Sequence, residues 1–406
     1  AQKLMSLKGR SISSYELSPN GDKVALLAMP APDKSEKELK KLGFMAEVYE
    51  LGLDNKQLHI VELTKADKPL TPDAISIDGY VSDMNYSADG KKLLVKTQPT
   101  ALIDDKYMKS QWHLFDVDTQ QVTLSFKTEG KLGDAELSHD GRYVAILGAE
   151  DKHDPATGRL YLADTQSGEI KEWLPDFMGH VSDFEWSNKR NTLNFVAQVS
   201  PESFIGQIKV GSNKYKKLVK EGKFIAGSLS VSDSDKTIAL RANTATHPNE
   251  VFMVRGSKTT RLSDSNPWLN DKRFAKQEAL TFKARDGVEI GGVLVYPLDY
   301  QEGKQYPLIM AVHGGPESHD KNGWVTSYSD PGQMGAARGY AVFYPNYRGS
   351  TGKGVDYSKL GQNDYAGKEF DDLVDMKQYL VDMGLVDTKR VGITGGSYGG
   401  YASAWG

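Results

Sequence analysis

A serine flanked by glycines stands near the end of this 406-residue chain, in Gly395-Gly396-Ser397-Tyr398-Gly399. The residues before it, 390–394 (RVGIT), read as an apolar strand, and those after it as the start of a helix. A strand that breaks sharply into a helix lifts a serine hydroxyl clear of the sheet, and it needs small neighbours on both sides. The helix N-terminus below favours the negative charge that develops on an attacked carbonyl. The expected chemistry is acyl transfer, with Ser397 as nucleophile. A second glycine pair lies in His313-Gly314-Gly315-Pro316, directly after the apolar run 306–312. Glycines there let backbone N–H groups face an oxyanion, and the N–H of Tyr398 supplies the other donor. His313 is expected to order this loop, not to act as the base.

The elements that hold these residues begin near residue 277. Residues 281–297 read as a hairpin turning at Asp286-Gly287, and 306–312 (YPLIMAV) as a strand buried on both faces. A helix around 333–338, a strand over 340–345 and an amphipathic helix follow. That helix carries Phe370, Leu373, Val374, Leu380 and Val381 near helical spacing. Strands alternating with helices predict an α/β domain. Tyr401 and Trp405, on the helix after Ser397, are expected to be core.

The part before residue 277 contains a repeat. LSPNGDKVAL, YSADGKKLLV, LSHDGRYVAI, WSNKRNTLNF and VSDSDKTIAL each place an apolar residue, a serine, a polar turn and a short apolar strand in succession. The serines are Ser18, Ser87, Ser138, Ser187 and Ser232, in steps of 69, 51, 49 and 45; four residues before them stand Ser14, Asp83, Asp134, Asp183 and Ser228. Polar turns between short strands at this period predict a β-propeller of about seven blades, at ~40–45 residues each. The domains are then 1–276, a β-propeller, and 277–406, the N-terminal part of an α/β domain. The charged run KSEKELKK from Lys34, an insertion, is expected to be a solvated helix.

Composition narrows the function. The net charge is −4, from 50 Lys and Arg against 54 Asp and Glu, which argues against a nucleic-acid partner. No run approaches 18 apolar residues, so no membrane-spanning helix is expected. The absence of cysteine excludes a disulfide scaffold, cysteine zinc sites and a cysteine nucleophile. No cofactor or metal is expected, and oligomerisation is left open. The Ala1-Gln2 start suits cleavage after a small-residue signal site, so a periplasmic or secreted location is expected, with the cytoplasm as alternative.

Together HGGP, YPNYRGSTG (344–352) and GGSYGGY, behind a propeller, resemble the prolyl oligopeptidase family of serine peptidases, in its acylaminoacyl-peptidase and dipeptidyl-peptidase-like branch. The resemblance implies a propeller capping an α/β-hydrolase domain that cleaves short peptides. It makes Ser397 the nucleophile, gives the backbone N–H groups of Gly315 and Tyr398 to the oxyanion, and makes Arg348 an organiser of the active-site loop. A dipeptidyl peptidase also needs carboxylates for a free substrate N-terminus, and Glu47 and Glu50 are the candidates. In α/β-hydrolases the triad runs Ser, then Asp or Glu, then His. The nine residues after Ser397 include none of these, so the triad Asp and His are expected beyond the end of this chain. The chain alone is expected to be inactive. The alternatives are a carboxylesterase or other acyl hydrolase on the same fold, and a non-catalytic binding propeller.

Overall fold

Each of the five repeated serines closes a hairpin in the computed structural model, which describes residues 7, 10–31, 34–46, 48, 50–63 and 72–406. The serine N–H donates to the carbonyl five residues on, at 2.8–2.9 Å in all five. In four of them the hydroxyl oxygen accepts the returning N–H, from Lys23, Lys92, Tyr143 and Thr237. Ser18, Ser87 and Ser138 also donate to Asp22, Asp89 and Asp140 of their own turns. Gly21, Gly90 and Gly141 supply the left-handed residue, and Asp235 takes that role in the fifth turn with φ 58°. The first four serines are buried, so their hydroxyls need such partners.

The hairpins open five antiparallel meanders. The first holds strands Ile12–Leu17, Lys23–Ala28 and Gln57–Glu62. The second holds Tyr80–Tyr86, Lys92–Gln98, Gln111–Asp116 and Gln121–Phe126, and the third Leu132–Leu137, Tyr143–Gly148, Arg159–Asp164 and Ile170–Glu172. The fourth holds His180–Trp186, Thr192–Val199, Glu202–Lys209 and Tyr215–Val219, and the fifth Ile225–Val231, Ile238–Thr244, His247–Arg255 and Lys258–Arg261. The shared position four before the serine has a physical cause. In every first strand the pairing register shifts at or beside it, at Ser14, Asp83, Asp134, Asp183 and Ser228. Such bulges sharpen the twist of a strand. Carboxylates nearby tie one sheet to the next: Glu16 accepts from Tyr86 N–H (3.0 Å), Asp183 from Leu229 N–H (2.7 Å) and Glu185 from Val231 N–H (3.0 Å). The described residues hold five such sheets, where the repeat period predicts about seven, because each repeat takes more chain than the assumed 40–45 residues. The longest step contains the helix Lys34–Lys41, as expected, with its described residues exposed.

The chain divides into two compact units, residues 1–152 with 160–173, and 153–159 with 174–406. Meander strands end at Arg261 and the α/β elements begin at Gln277. The fourth and fifth meanders share the second unit with the α/β part because hydrogen bonds join them. Ser200 N–H donates to Gly352 O (2.9 Å), Asn346 Nδ2 to Ser200 Oγ (2.9 Å), and Trp324 N–H to Asn243 Oδ1 (2.8 Å).

The α/β part comprises β1 (Gln277–Lys283), β2 (Glu289–Val295), β3 (Tyr306–Val312), α1 (Gly332–Ala337), β4 (Ala341–Asn346), α2 (Val355–Lys359), α3 (Lys368–Asp382), β5 (Val386–Gly395) and α4 (Tyr398–Trp405). The sheet order is β1-β2-β4-β3-β5; β4, β3 and β5 are parallel, and β2 is antiparallel to both its neighbours, β1 and β4. Leu294, Leu308, Met310 and Phe343 pack with Met376 and Leu380 of α3 in one core cluster. Val293, Val295, Ala311 and Val342 pack with Ala336 of α1 in another. Burial on both faces is why β3 and β4 read as unbroken apolar runs.

Candidate active site

The turn from β5 into α4 is set by steric limits at two glycines. A Cβ on Gly399 would lie 1.9 Å from Val312 O, and one on Gly395 2.4 Å from the same oxygen. Both positions press on the end of β3, so the G-x-S-x-G spacing is a packing requirement. Between them Ser397 takes φ 54° and ψ −120°, a conformation sparsely populated outside glycine. Gly314 backs directly onto it: a Cβ there would stand 3.1 Å from Ser397 Cβ and 3.6 Å from its Oγ. Gly315 has φ 120°, and a Cβ on it would strike Glu317 N at 2.4 Å. The structure thus brings Ser397, the Gly314-Gly315 turn and Tyr398 together. Tyr398 is the first residue of α4, where N–H groups have no acceptor within the helix.

His313 is occupied on both ring nitrogens. Nδ1 lies 2.8 Å from Gly314 O and Nε2 2.9 Å from Ser350 Oγ. Both are satisfied when Nδ1–H donates and Nε2 accepts. The Tyr347 ring stacks on the imidazole at 4.4 Å, and its hydroxyl donates to His313 O (3.0 Å). His313 therefore orders the loop, as expected. His319 Nδ1 pairs with Thr351 Oγ1 at 2.8 Å, and among the described residues no histidine hydrogen-bonds Ser397.

Burial pushes the His313 pKa down to about 4, from an ordinary 6.5. The unfolded chain then takes the proton first, so this residue costs stability as the pH falls from 6.5 towards about 4, by about 2–3 kcal/mol at the lower end. A His313→Asn variant, which takes up no proton, is expected to lose less of its melting temperature across that window than the wild type. Equal losses in the two proteins would show that His313 titrates normally.

Both serine and threonine partners come from the loop after β4, and Arg348 anchors that loop. Its Nη2 meets Asp372 Oδ1 at 2.6 Å, its Nε reaches Asp372 Oδ2 at 2.9 Å, and its backbone N–H donates to Asp372 Oδ2 at 2.8 Å. Nη1 and Nη2 also bond Asp286 in the β1–β2 turn, at 2.7 and 3.0 Å. Arg348 is 4% and Asp372 0% exposed. Arg348 thus ties the loop after β4 to α3 and to the β1–β2 turn. Asp372 and Glu369 escaped the sequence reading, although both interrupt the apolar face of α3, beside Phe370 and Leu373.

Other expected positions fall elsewhere. Glu47 lies outside the described residues, and Glu50 sits in an exposed turn of the first unit with φ 60°. Tyr401 and Trp405, expected in the core, are 43% and 65% exposed among the described residues. The approach of α4 to β3 leaves no room for a Cβ at Gly399, and Gly399 and Ala402 are the buried residues of the helix, while the Tyr401 ring lies 5.5 Å from Phe370.

Residues 326–406 match the model of the prolyl oligopeptidase family, which bears out the resemblance carried by the motifs. The chain is 28% identical over 348 residues to dipeptidyl aminopeptidase BIII of Pseudoxanthomonas mexicana, covering 81% of this chain and 47% of that protein. It is 24% identical over 333 residues to dipeptidyl-peptidase 5 of Porphyromonas gingivalis, covering 80% and 48%. The chain thus spans about half the length of these curated relatives. Among solved structures, the acylaminoacyl peptidase of Pyrococcus horikoshii superposes with a TM-score of 0.60 at 19% identity, over 97% of this chain and 67% of that one. A puromycin-hydrolysing peptidase of Mycobacterium tuberculosis gives 0.70 at 15% identity, over 99% and 61%. The fold is shared with these enzymes.

Proposed function

We propose that Ser397 is the nucleophile of a serine peptidase that hydrolyses short peptides through an acyl-enzyme. The observation that carries this reading is the Ser397 conformation, φ 54° and ψ −120°, on a turn pressed against Gly314. Ser397 Oγ attacks the scissile carbonyl, a base takes its proton, and the tetrahedral oxygen receives the N–H groups of Gly315 and Tyr398. Collapse expels the amine, which takes the proton back, and water then cleaves the ester. Among the described residues no histidine bonds Ser397, and His313 and His319 are each held by other partners. The five meanders are blades of a propeller over residues 1–276, and 277–406 is the catalytic part. A propeller on the same chain as the Ser397 turn favours short or unfolded peptides as substrates, and relatives named as dipeptidyl peptidases support the same class.

The test treats the intact protein with a fluorophosphonate probe and compares peptide p-nitroanilides, N-terminally free or blocked, with p-nitrophenyl esters. Labelling of Ser397 and cleavage of the anilides are expected. Cleavage of esters alone would make the protein an acyl hydrolase, and absence of labelling a binding protein. A requirement for a free N-terminus would direct attention to Glu47 and Glu50.

A further inference from the structure

A buried carboxylate sits where an apolar residue would serve the fold better. Glu369 opens α3 on its apolar face and is 2% exposed. Its Oε1 accepts from the Tyr398 hydroxyl at 2.6 Å and from Ala366 N–H at 2.5 Å, whereas its Oε2 is buried with no partner among the described residues. Burying a carboxylate with one oxygen unsatisfied is costly. A cost retained beside a reactive turn points to a role in that turn.

The contacts of Tyr398 show what the role is. Its ring lies 5.8 Å from Phe370 and 5.7 Å from Tyr401, and 6.4 Å from Tyr347. Tyr347 in turn stacks on His313 at 4.4 Å and donates to its carbonyl. One row of rings, His313, Tyr347 and Tyr398, therefore ends on Glu369. The two ends of the row belong to the two chain segments that carry the proposed oxyanion donors, Gly315 two residues after His313, and Tyr398 itself.

We infer that Glu369 is a positioning residue for the oxyanion hole: by fixing the Tyr398 hydroxyl it sets, through the row of rings, the separation of the Gly315 and Tyr398 N–H groups. The inference rests on the peptidase reading. Burial and the Glu369 carboxylate raise the Tyr398 pKa, so the hydroxyl stays protonated and keeps donating. The effect belongs to the transition state, because the donors must fit the oxyanion and not the ground-state carbonyl.

The experiment uses the intact protein with Glu369→Ala, Glu369→Gln and Tyr398→Phe. It reads kcat, KM and inhibition by a peptide boronic acid, whose adduct with the serine mimics the tetrahedral intermediate. Glu369→Ala is expected to lower kcat about 10- to 100-fold with KM within about twofold, since misplacements near 1 Å cost about that much. Boronic-acid affinity should weaken by a similar factor. Glu369→Gln, whose Oε1 accepts the same two hydrogen bonds, should return kcat to within about threefold of wild type. Wild-type kcat in Glu369→Ala, or a fall in kcat without weaker boronic-acid binding, overturns the inference. Should Glu369→Ala not fold, Tyr398→Phe decides, because it deletes only the hydroxyl: wild-type kcat there overturns the inference as well. A wild-type protein that neither turns over nor reacts with the fluorophosphonate refutes the peptidase reading itself, and this inference with it.

Discussion

Ser397→Ala is expected to abolish turnover of the intact protein, by about six orders of magnitude in kcat, and to abolish fluorophosphonate labelling. The residual rate would come from the N–H donors and substrate binding, which the substitution leaves in place. The same position makes a second, opposite expectation about stability. At φ 54° and ψ −120°, Ser397 holds a conformation that costs a non-glycine residue about 1–3 kcal/mol. Alanine inherits that strain and glycine does not, although glycine gives back about 0.5–1 kcal/mol in backbone entropy. Ser397→Gly should therefore be about 1 kcal/mol more stable than Ser397→Ala while being equally inactive. Thermal unfolding of the two variants measures the difference. A lower melting temperature in Ser397→Gly than in Ser397→Ala would mean that the elbow stores no strain, and turnover surviving in Ser397→Ala would remove Ser397 from the chemistry.

The elbow was legible because its sequence pattern is a steric one. Gly395 and Gly399 have no room for a Cβ against Val312 O, and a requirement of that kind survives in one sequence without any partner residue in view. The repeat was legible for a related reason: each serine bonds a residue five positions on, so turn and signal are local. The position four before each serine was visible as a pattern, but its cause, a bulge in the first strand, depends on pairing with a second strand. The side chains that organise the site were the part that stayed hidden. Glu369 and Asp372 stand three apart on α3, and a reading by apolar periodicity assigns acidic residues to solvent. Only the fold brings Arg348 to Asp286, 62 residues away, and Tyr398 to Glu369, 29 residues away. The aromatic residues of α4 misled in the other direction. Their hydrophobicity suggested core, but the small residues pack against β3 and leave Tyr401 and Trp405 exposed.

Arg348→Met is expected to cost about 3–5 kcal/mol of folding stability, the usual penalty for stranding one partner of a buried ion pair. Asp372 is fully buried on α3, and with Arg348 removed it keeps a single donor, the backbone N–H of residue 348. The pH dependence identifies the cause. Burial alone already raises the Asp372 pKa, and the bonds from Arg348 are what oppose it. In the variant the folded state therefore binds a proton that the unfolded chain, with an ordinary pKa of 3.8, does not hold. Stability of the variant consequently rises as the pH falls from neutral towards 3.8, so its deficit is greatest near pH 7 and narrows in mild acid. In the wild type Arg348 holds Asp286 down to about 2, so that contribution is present above 3.8 and is lost as the pH falls through about 2. Arg348→Met with Asp372→Asn should recover part of the loss at pH 7, because the amide oxygen still accepts the backbone N–H without carrying a charge. Activity should fall with Arg348→Met alone, since the loop it anchors supplies Ser350 to His313 and Thr351 to His319. Denaturant unfolding at pH 7 and pH 5 decides the matter: a deficit under about 1 kcal/mol at pH 7, or one that grows in acid, would show that the pair does not anchor the loop.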